Sequence, residues 1–251
     1  EILIYRSWDQ IPYDNVSPSK EIQSERIRTL IQLSRKNKKI ILTSVNAIIQ
    51  KTIHKTYLDK NLIAIFVNQK INFNKFILTL SSLGYERTSV VRDKTEFAIR
   101  GSIIDIFIES YDKPIRIDFF DDTIESIHLF DQITQKRLNK FEDNKCFIYT
   151  SSELLLNDES INLFRKNFRE LFSNYRLSQI YHSFSDNIFP PGGEQFLPLF
   201  NEKMDTLFTF LQNTKIFITS QFNNLLNLRI ENINDFYNAR KDLNENFYLE
   251  P

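Results

Sequence analysis

The spacing of apolar residues changes rhythm along the chain, and each change predicts a boundary. Residues 1-EILIYR-6 read as a short strand, followed by a Pro-punctuated loop. From about Ser19 to Lys36, Ile22, Ile27, Leu30, Ile31 and Leu33 recur near helical spacing, while Glu21, Glu25, Arg26 and Arg28 take much of the remainder. That pattern predicts an amphipathic helix layered on a sheet. The strand-like 39-KIILTSV-45 and a short helix around 46-NAIIQK-51 continue a strand–helix alternation of the parallel-sheet kind, with the sheet incomplete over these residues.

From about Asn61 the pattern becomes α+β. A strand is predicted at 62-LIAIFV-67, and a helix at 73-FNKFILTLSSLG-84 with Gly84 as its C-cap, ahead of a strand-rich block that runs to Phe147. Helix and strand then return. In 160-SINLFRKNFRELFSNYRL-177, Ile161, Phe164, Phe168, Leu171, Phe172 and Tyr175 share one stripe behind an Asp158 or Ser160 cap, a pattern that reads as core rather than as a cofactor box. The segment 215-KIFITS-220 predicts a buried strand. The resulting organisation is α/β, with lobe residues 1–60 and 148–251 interrupted by an inserted α+β domain at 61–147.

Two arginines stand out inside the strand-rich block. Arg100 lies in 96-EFAIRGSIIDIF-107 and Arg116 in 115-IRIDFF-120. A period of two puts Ile115, Ile117 and Phe119 on a core face and Arg116, Asp118 and Phe120 on the other. An Arg beside a large aromatic suits an interface, with a planar fork for carboxylates next to rigid apolar area. A core Phe with a local Arg116–Asp118 surface pair accounts for the same pattern.

Composition narrows the function. Lys+Arg and Asp+Glu are both 32, so the overall positive field of a dedicated nucleic-acid binder is missing, and runs such as 35-RKNKK-39 read as solvated surface. Cys146 is the single cysteine, which excludes a disulfide framework and fits a reducing, cytoplasmic setting. No apolar run reaches membrane-span length, so no membrane partner is expected. Gly84, Gly101, Gly192 and Gly193 lie in no phosphate-binding loop, which predicts no nucleotide hydrolysis by this segment. His54, His128 and His182 are scattered, so neither metal nor cofactor is expected. Asp121 and Asp122 fall where a turn belongs and read as turn residues rather than acid/base catalysts. No catalytic residue is assigned. The chain begins at Glu1, which reads as a trimmed or excised region.

Five blocks run in order: 11-IPYDNVSPSKEIQSERIRTLIQL-33, 83-LGYERTSVV-91, 96-EFAIRGSIIDIF-107, 114-PIRIDFFDDTIESIHLFDQITQKR-137 and 193-GEQFLPLF-200. Together they resemble the N-terminal UvrB-homology region of the bacterial transcription-repair coupling factors, the Mfd family. The resemblance implies a partial, degenerate helicase-like (RecA/UvrB-like) lobe with an inserted domain that docks onto UvrA in nucleotide excision repair. RNA polymerase and DNA would be engaged only through segments of the longer protein. Carried over residue by residue, Arg100, Arg116 and Phe120 become UvrA-contacting positions, with Asp118 and His128 as a possible rim.

This chain departs from the family pattern at three points. Thr95 stands where Gly is usual, Ile108 where Pro is usual, and His128 where Arg is common. The last would weaken part of the charged rim. Rival readings are a fragment of UvrB itself, disfavoured because 11-IPYDNVSP-18 passes straight into the helix without room for a DNA-inserting hairpin, a nucleic-acid-binding helicase lobe, and a structural lobe with no partner surface.

Overall fold

The computed structural model describes residues 1–33, 38–140, 144–211, 213–241 and 247–251, with Lys140 described by its backbone alone. In chain order the elements are β1 (Ile2–Tyr5), α1 (Lys20–Leu33), β2 (Ile40–Thr43), α2 (Val45–Ile49), β3 (Thr52–Ile53), α3 (Lys55–Lys60), β4 (Leu62–Phe66), α4 (Phe73–Ser82), β5 (Glu86–Arg87) and β6 (Glu96–Arg100). They continue with β7 (Ile103–Ile106), β8 (Ile115–Phe120), β9 (Thr123–Phe130), β10 (Arg137–Lys140), β11 (Lys145–Tyr149), α5 (Asp158–Leu171), α6 (Gln179–Ser185), β12 (Met204–Asp205) and α7 (Phe222–Lys241). The chain divides into two compact units, Thr56–Leu155 and the pair of segments Glu1–Lys55 and Leu156–Pro251. No helix among the described residues is long and apolar enough to cross a membrane.

The unit at 56–155 is built on a six-stranded sheet in the order β10-β9-β8-β7-β6-β5, antiparallel except for the parallel β5–β6 pair. One face carries the core: Ile104, Ile106, Ile115, Ile117 and Phe119 pack with Phe76 and Leu80 of α4 and with Ile65, Cys146 and Ile148 of the β4–β11 ribbon. Removing such side chains from water stabilises the fold by about 1.5–3 kcal/mol each. Asn72 caps α4 by accepting from Lys75 N, and Asp122, in the β8–β9 turn, accepts from Phe73 N at 2.9 Å. The turn carboxylate expected to be merely solvated therefore holds the start of a helix.

Gly84 ends α4 as the sequence predicts. Its φ of +88° places it in the left-handed region, Tyr85 N donates to Leu80 O and Gly84 N to Ser81 O, the two bonds of a Schellman motif. A Cβ there would come within 2.6 Å of Ser151 Oγ, so the close approach of 151–155 also needs the glycine.

In the other unit, β1 and β2 form a two-stranded parallel sheet under α1. The helix is less two-faced than its sequence suggests. Arg26, expected on the polar side, has no solvent exposure: its guanidinium donates to Arg6 O at 2.6 Å and lies 4.5 Å from the Tyr5 ring centroid. The predicted end of α1 at Lys36 and most of 35-RKNKK-39 fall outside the described residues.

The capping residue of α5 is Asn157, with Ser160 as the reciprocal partner of a capping box. Its Phe164 and Phe168 join Tyr181, Phe184, Phe196 and Phe200 in an aromatic core, so the stripe is core as expected. Leu171, the last residue of the helix, is more than half exposed, and Phe172 and Tyr175 beyond it are half-buried. The predicted buried strand at 215–220 is not formed. Those residues adopt no regular structure, and Ile216, Phe217 and Ile218 are all exposed.

Candidate protein-binding surface

The second face of the six-stranded sheet carries Ala98, Asp105, Arg116, Asp118, Phe120, His128 and Phe130. Strand register brings them together: Asp105 lies opposite both Ala98 and Arg116, and Arg116 lies opposite His128. Between Asp118 and Phe119 the β8–β9 register shifts by one residue on β9, which absorbs Glu125 and preserves the alternation of faces.

Arg116 is on the predicted face but is not exposed. Its side chain retains about 10% of its accessible surface, and Asp105 retains none. The guanidinium grips Asp105 with both arms of its fork, Nε to Oδ1 at 2.7 Å and Nη2 to Oδ2 at 2.8 Å, while Nη1 donates to Gln135 O at 3.2 Å. The group lies 4.6 Å from the Phe130 ring centroid. Its hydrogen bond to Asp105 holds the Arg116 pKa above its ordinary value against the opposing effect of burial. The fork expected to be offered to a partner's carboxylate is therefore occupied by an internal one. The physical reason is the neighbouring strand, which supplies an acid directly opposite, so the buried charge is paired.

Arg100 is the more available arginine. Its side chain is about 39% exposed, Nη2 donates to Gln135 Oε1 at 2.9 Å, and Nε stands 4.0 Å from Asp105 Oδ2. Gln135 holds a positive φ of 60°, and its amide donates to Val91 O and Gln132 O. One turn residue thus fixes both arginines. That turn is in turn fixed by Asp131, which accepts from Thr134 N and Lys113 Nζ and whose pKa is lowered to about 2 by those bonds, that to Thr134 first.

The expected rim forms a second group. Asp118 accepts from Ser126 Oγ and from Arg137 Nη2, and His128 Nε2 lies 4.0 Å from its Oδ2. The Arg116–Asp118 pair considered from sequence is not the pairing formed. His128 is largely covered, with a side-chain exposure near 12%. Behind these groups Val91, Ala98, Phe107 and Phe130 make a small second core on this face.

Phe120 differs from all of these. It ends β8 and is 72% exposed. It lies on the same face as the two arginines and is the large apolar side chain there that the sheet leaves uncovered. Sequence reasoning missed Asp105, Gln135 and Arg137. Asp105 had a signal, an acid interrupting the apolar alternation of 103-IIDIF-107, whereas the other two depend on how the turn at 131–136 folds back.

Residues 63–153 match the family described as the UvrB interaction domain. Curated relatives bear the name transcription-repair-coupling factor. That of Haemophilus influenzae is 32% identical over 225 residues, covering 89% of this chain and 20% of its own length. Rickettsia bellii has one 32% identical over 250 residues, covering 97% and 22%, and that of Escherichia coli is 29% identical over 215 residues, covering 85% and 19%. The chain spans about a fifth of the length of the curated relatives it matches.

Proposed function

We propose, for a chain that is homologous to the transcription-repair coupling factors and carries their UvrB interaction domain, that it recruits UvrA and so links stalled transcription to nucleotide excision repair. On this reading residues 1–60 and 148–251 are a partial, degenerate helicase-like lobe that displays the inserted domain. ATP-driven translocation and contacts with RNA polymerase and DNA belong to other segments of a longer cytoplasmic protein.

The observation that carries the reading is the division of labour on the sheet's second face. Asp105 and Gln135 engage all three nitrogens of the buried Arg116 guanidinium, which makes it a brace, while Arg100 and Phe120 remain partly and largely exposed beside it. Arg100 supplies the cation for an acidic group on UvrA, and Phe120 supplies apolar area that loses no internal contact on docking. Asp118 shapes the rim by holding Arg137, whose side chain is about 47% exposed, with His128 on its other side.

The test is titration of purified UvrA against the labelled 251-residue chain. Saturable binding that Phe120→Ala weakens, without change in thermal unfolding, is the expected result. Equal affinity for wild type and Phe120→Ala would move the partner surface elsewhere.

A further inference from the structure

Arg137 is a third arginine on the second face of the six-stranded sheet, opposite Phe130 and within the 63–153 span that matches the UvrB interaction domain. Its Nη2 donates to Asp118 Oδ1 at 2.5 Å, and its Nε and Nη1 make no hydrogen bond among the described residues. Arg100 is likewise held by one arm. Its Nη2 donates to Gln135 Oε1 at 2.9 Å, its Nε stands 4.0 Å from Asp105 Oδ2, and its Nη1 makes no hydrogen bond among the described residues. Arg116 has no such freedom, because all three of its nitrogens are engaged. A guanidinium fastened at one edge keeps its plane oriented while the other edge can still grip a carboxylate.

Strand register sets where the two open forks stand. Arg100 pairs with Ile103, Ile103 with Asp118 and Asp118 with Ser126, so Arg100 and Asp118 lie in one row, two strand spacings or roughly 10 Å apart. Phe120 follows Asp118 by two residues on the same strand, and so on the same face. Arg137 comes to Asp118 from β10, two strands to one side of β8, and Arg100 stands on β6, two strands to the other. The exposed aromatic thus sits next to a row that carries a fixed cation at each end.

Charge in these rows is sorted by exposure. The acids are covered, with side-chain exposures of 0% for Asp105 and 11% for Asp118, whereas Arg100 and Arg137 reach 39% and 47%. A partner approaching this part of the sheet meets the positive groups and not the negative ones, in a chain whose Lys+Arg and Asp+Glu totals are equal.

On the UvrA reading above, on which this step rests, we infer that Arg137 is a second partner-contacting cation. UvrA then presents two carboxylates, one to the open edge of Arg100 and one to that of Arg137, on either side of the apolar surface that receives Phe120. Two forks beside a single aromatic suit a pair of protein carboxylates; a nucleic acid would call for a longer series of cations and stacking faces.

The experiment titrates purified UvrA against the labelled 251-residue chain and its variants at low and high salt. Arg137→Gln is expected to weaken binding by about tenfold, the scale of one hydrogen bond to a charged group, and by less at high salt. Arg137→Lys keeps part of the affinity. Lys75→Gln, which removes an exposed cation from α4 on the core side of the sheet, keeps all of it. Asp118→Asn combined with Arg137→Gln loses as much as Arg137→Gln alone, because the missing element is the cation. Recovery of wild-type affinity in that double variant would show that an uncovered Asp118 carboxylate had merely repelled UvrA, and overturns the inference. Full affinity in Arg137→Gln where Phe120→Ala binds weakly also overturns it and leaves UvrA recruitment standing, whereas a chain that binds no UvrA overturns both. Arg137-dependent binding of a duplex oligonucleotide to the chain alone at physiological salt would assign the open forks to phosphate instead, and overturns the carboxylate pair.

Discussion

Asp105, without solvent exposure, holds Arg116 through two parallel hydrogen bonds of 2.7 and 2.8 Å across adjacent strands. This relationship reverses what strand alternation alone implies for mutation. Outward placement predicts that Arg116→Glu is harmless to folding, whereas the pairing puts a new carboxylate against a buried one. Arg116→Glu is expected to lower stability by about 3–5 kcal/mol, the scale for breaking a buried pair. Replacing both partners, as Asp105→Leu with Arg116→Met, is expected to recover much of that loss. Urea denaturation of the wild type and the two variants checks it, and a stable Arg116→Glu protein would show that the pair contributes nothing.

Phe120 and Arg100 are the complementary case, because neither is buried. Phe120→Ala is expected to shift stability by no more than about 0.5 kcal/mol, and Arg100→Glu, which brings a like charge toward buried Asp105, to lower it by more. At a partner surface, truncation of an aromatic anchor costs about 2 kcal/mol or more. UvrA affinity measured at low and high salt separates the two: the Arg100→Glu loss shrinks as salt rises, and the Phe120→Ala loss does not.

Much of this was legible in the sequence because period-two and period-3.6 patterns report which face is apolar. The core face of β8, the Gly84 cap and the aromatic core around Phe164 were all readable in that way. Periodicity does not report what the opposite face meets. Arg116 and Phe120 share a face by alternation, yet one is 9% and the other 72% exposed, because strand order and the turn at 131–136 cover the first and not the second. The same limit hid Arg26, whose burial depends on Tyr5 and the Arg6 carbonyl arriving from a distant strand. The segment 215–220 has a strand's composition but no paired neighbour among the described residues, and composition alone cannot supply one.

The departure at Thr95 has a backbone consequence. Thr95 sits at φ +68°, a left-handed conformation that a β-branched residue adopts only under strain, and its backbone bonds to Phe107 and Glu86 hold it there. Thr95→Gly is expected to stabilise the protein by about 1 kcal/mol, strain relief exceeding the added freedom of the unfolded glycine. Chemical denaturation reads the difference, and a destabilised Thr95→Gly would mean that the Thr95 side chain, 6% exposed, contributes more packing than its backbone costs.

Glu194 opens the segment Gly193–Phe200 and is 5% exposed, with Oε1 accepting from Gln23 Nε2 at 3.0 Å. Burial raises its pKa above the ordinary 4.5, with hydrogen bonds from Ser17 and Gln23 opposing that rise. A carboxyl whose pKa is higher folded than unfolded binds protons more tightly in the native state. Its favourable contribution is therefore complete below about pH 4.5 and is lost as pH climbs through the folded value. Glu194→Gln keeps an acceptor for Gln23 and cannot ionise. It is expected to match wild type near pH 4 and to melt higher at pH 7.5, with the gap opening between those limits. Thermal unfolding at the two pH values decides the matter: a pH-independent difference, of either sign, would show that burial does not raise the Glu194 pKa.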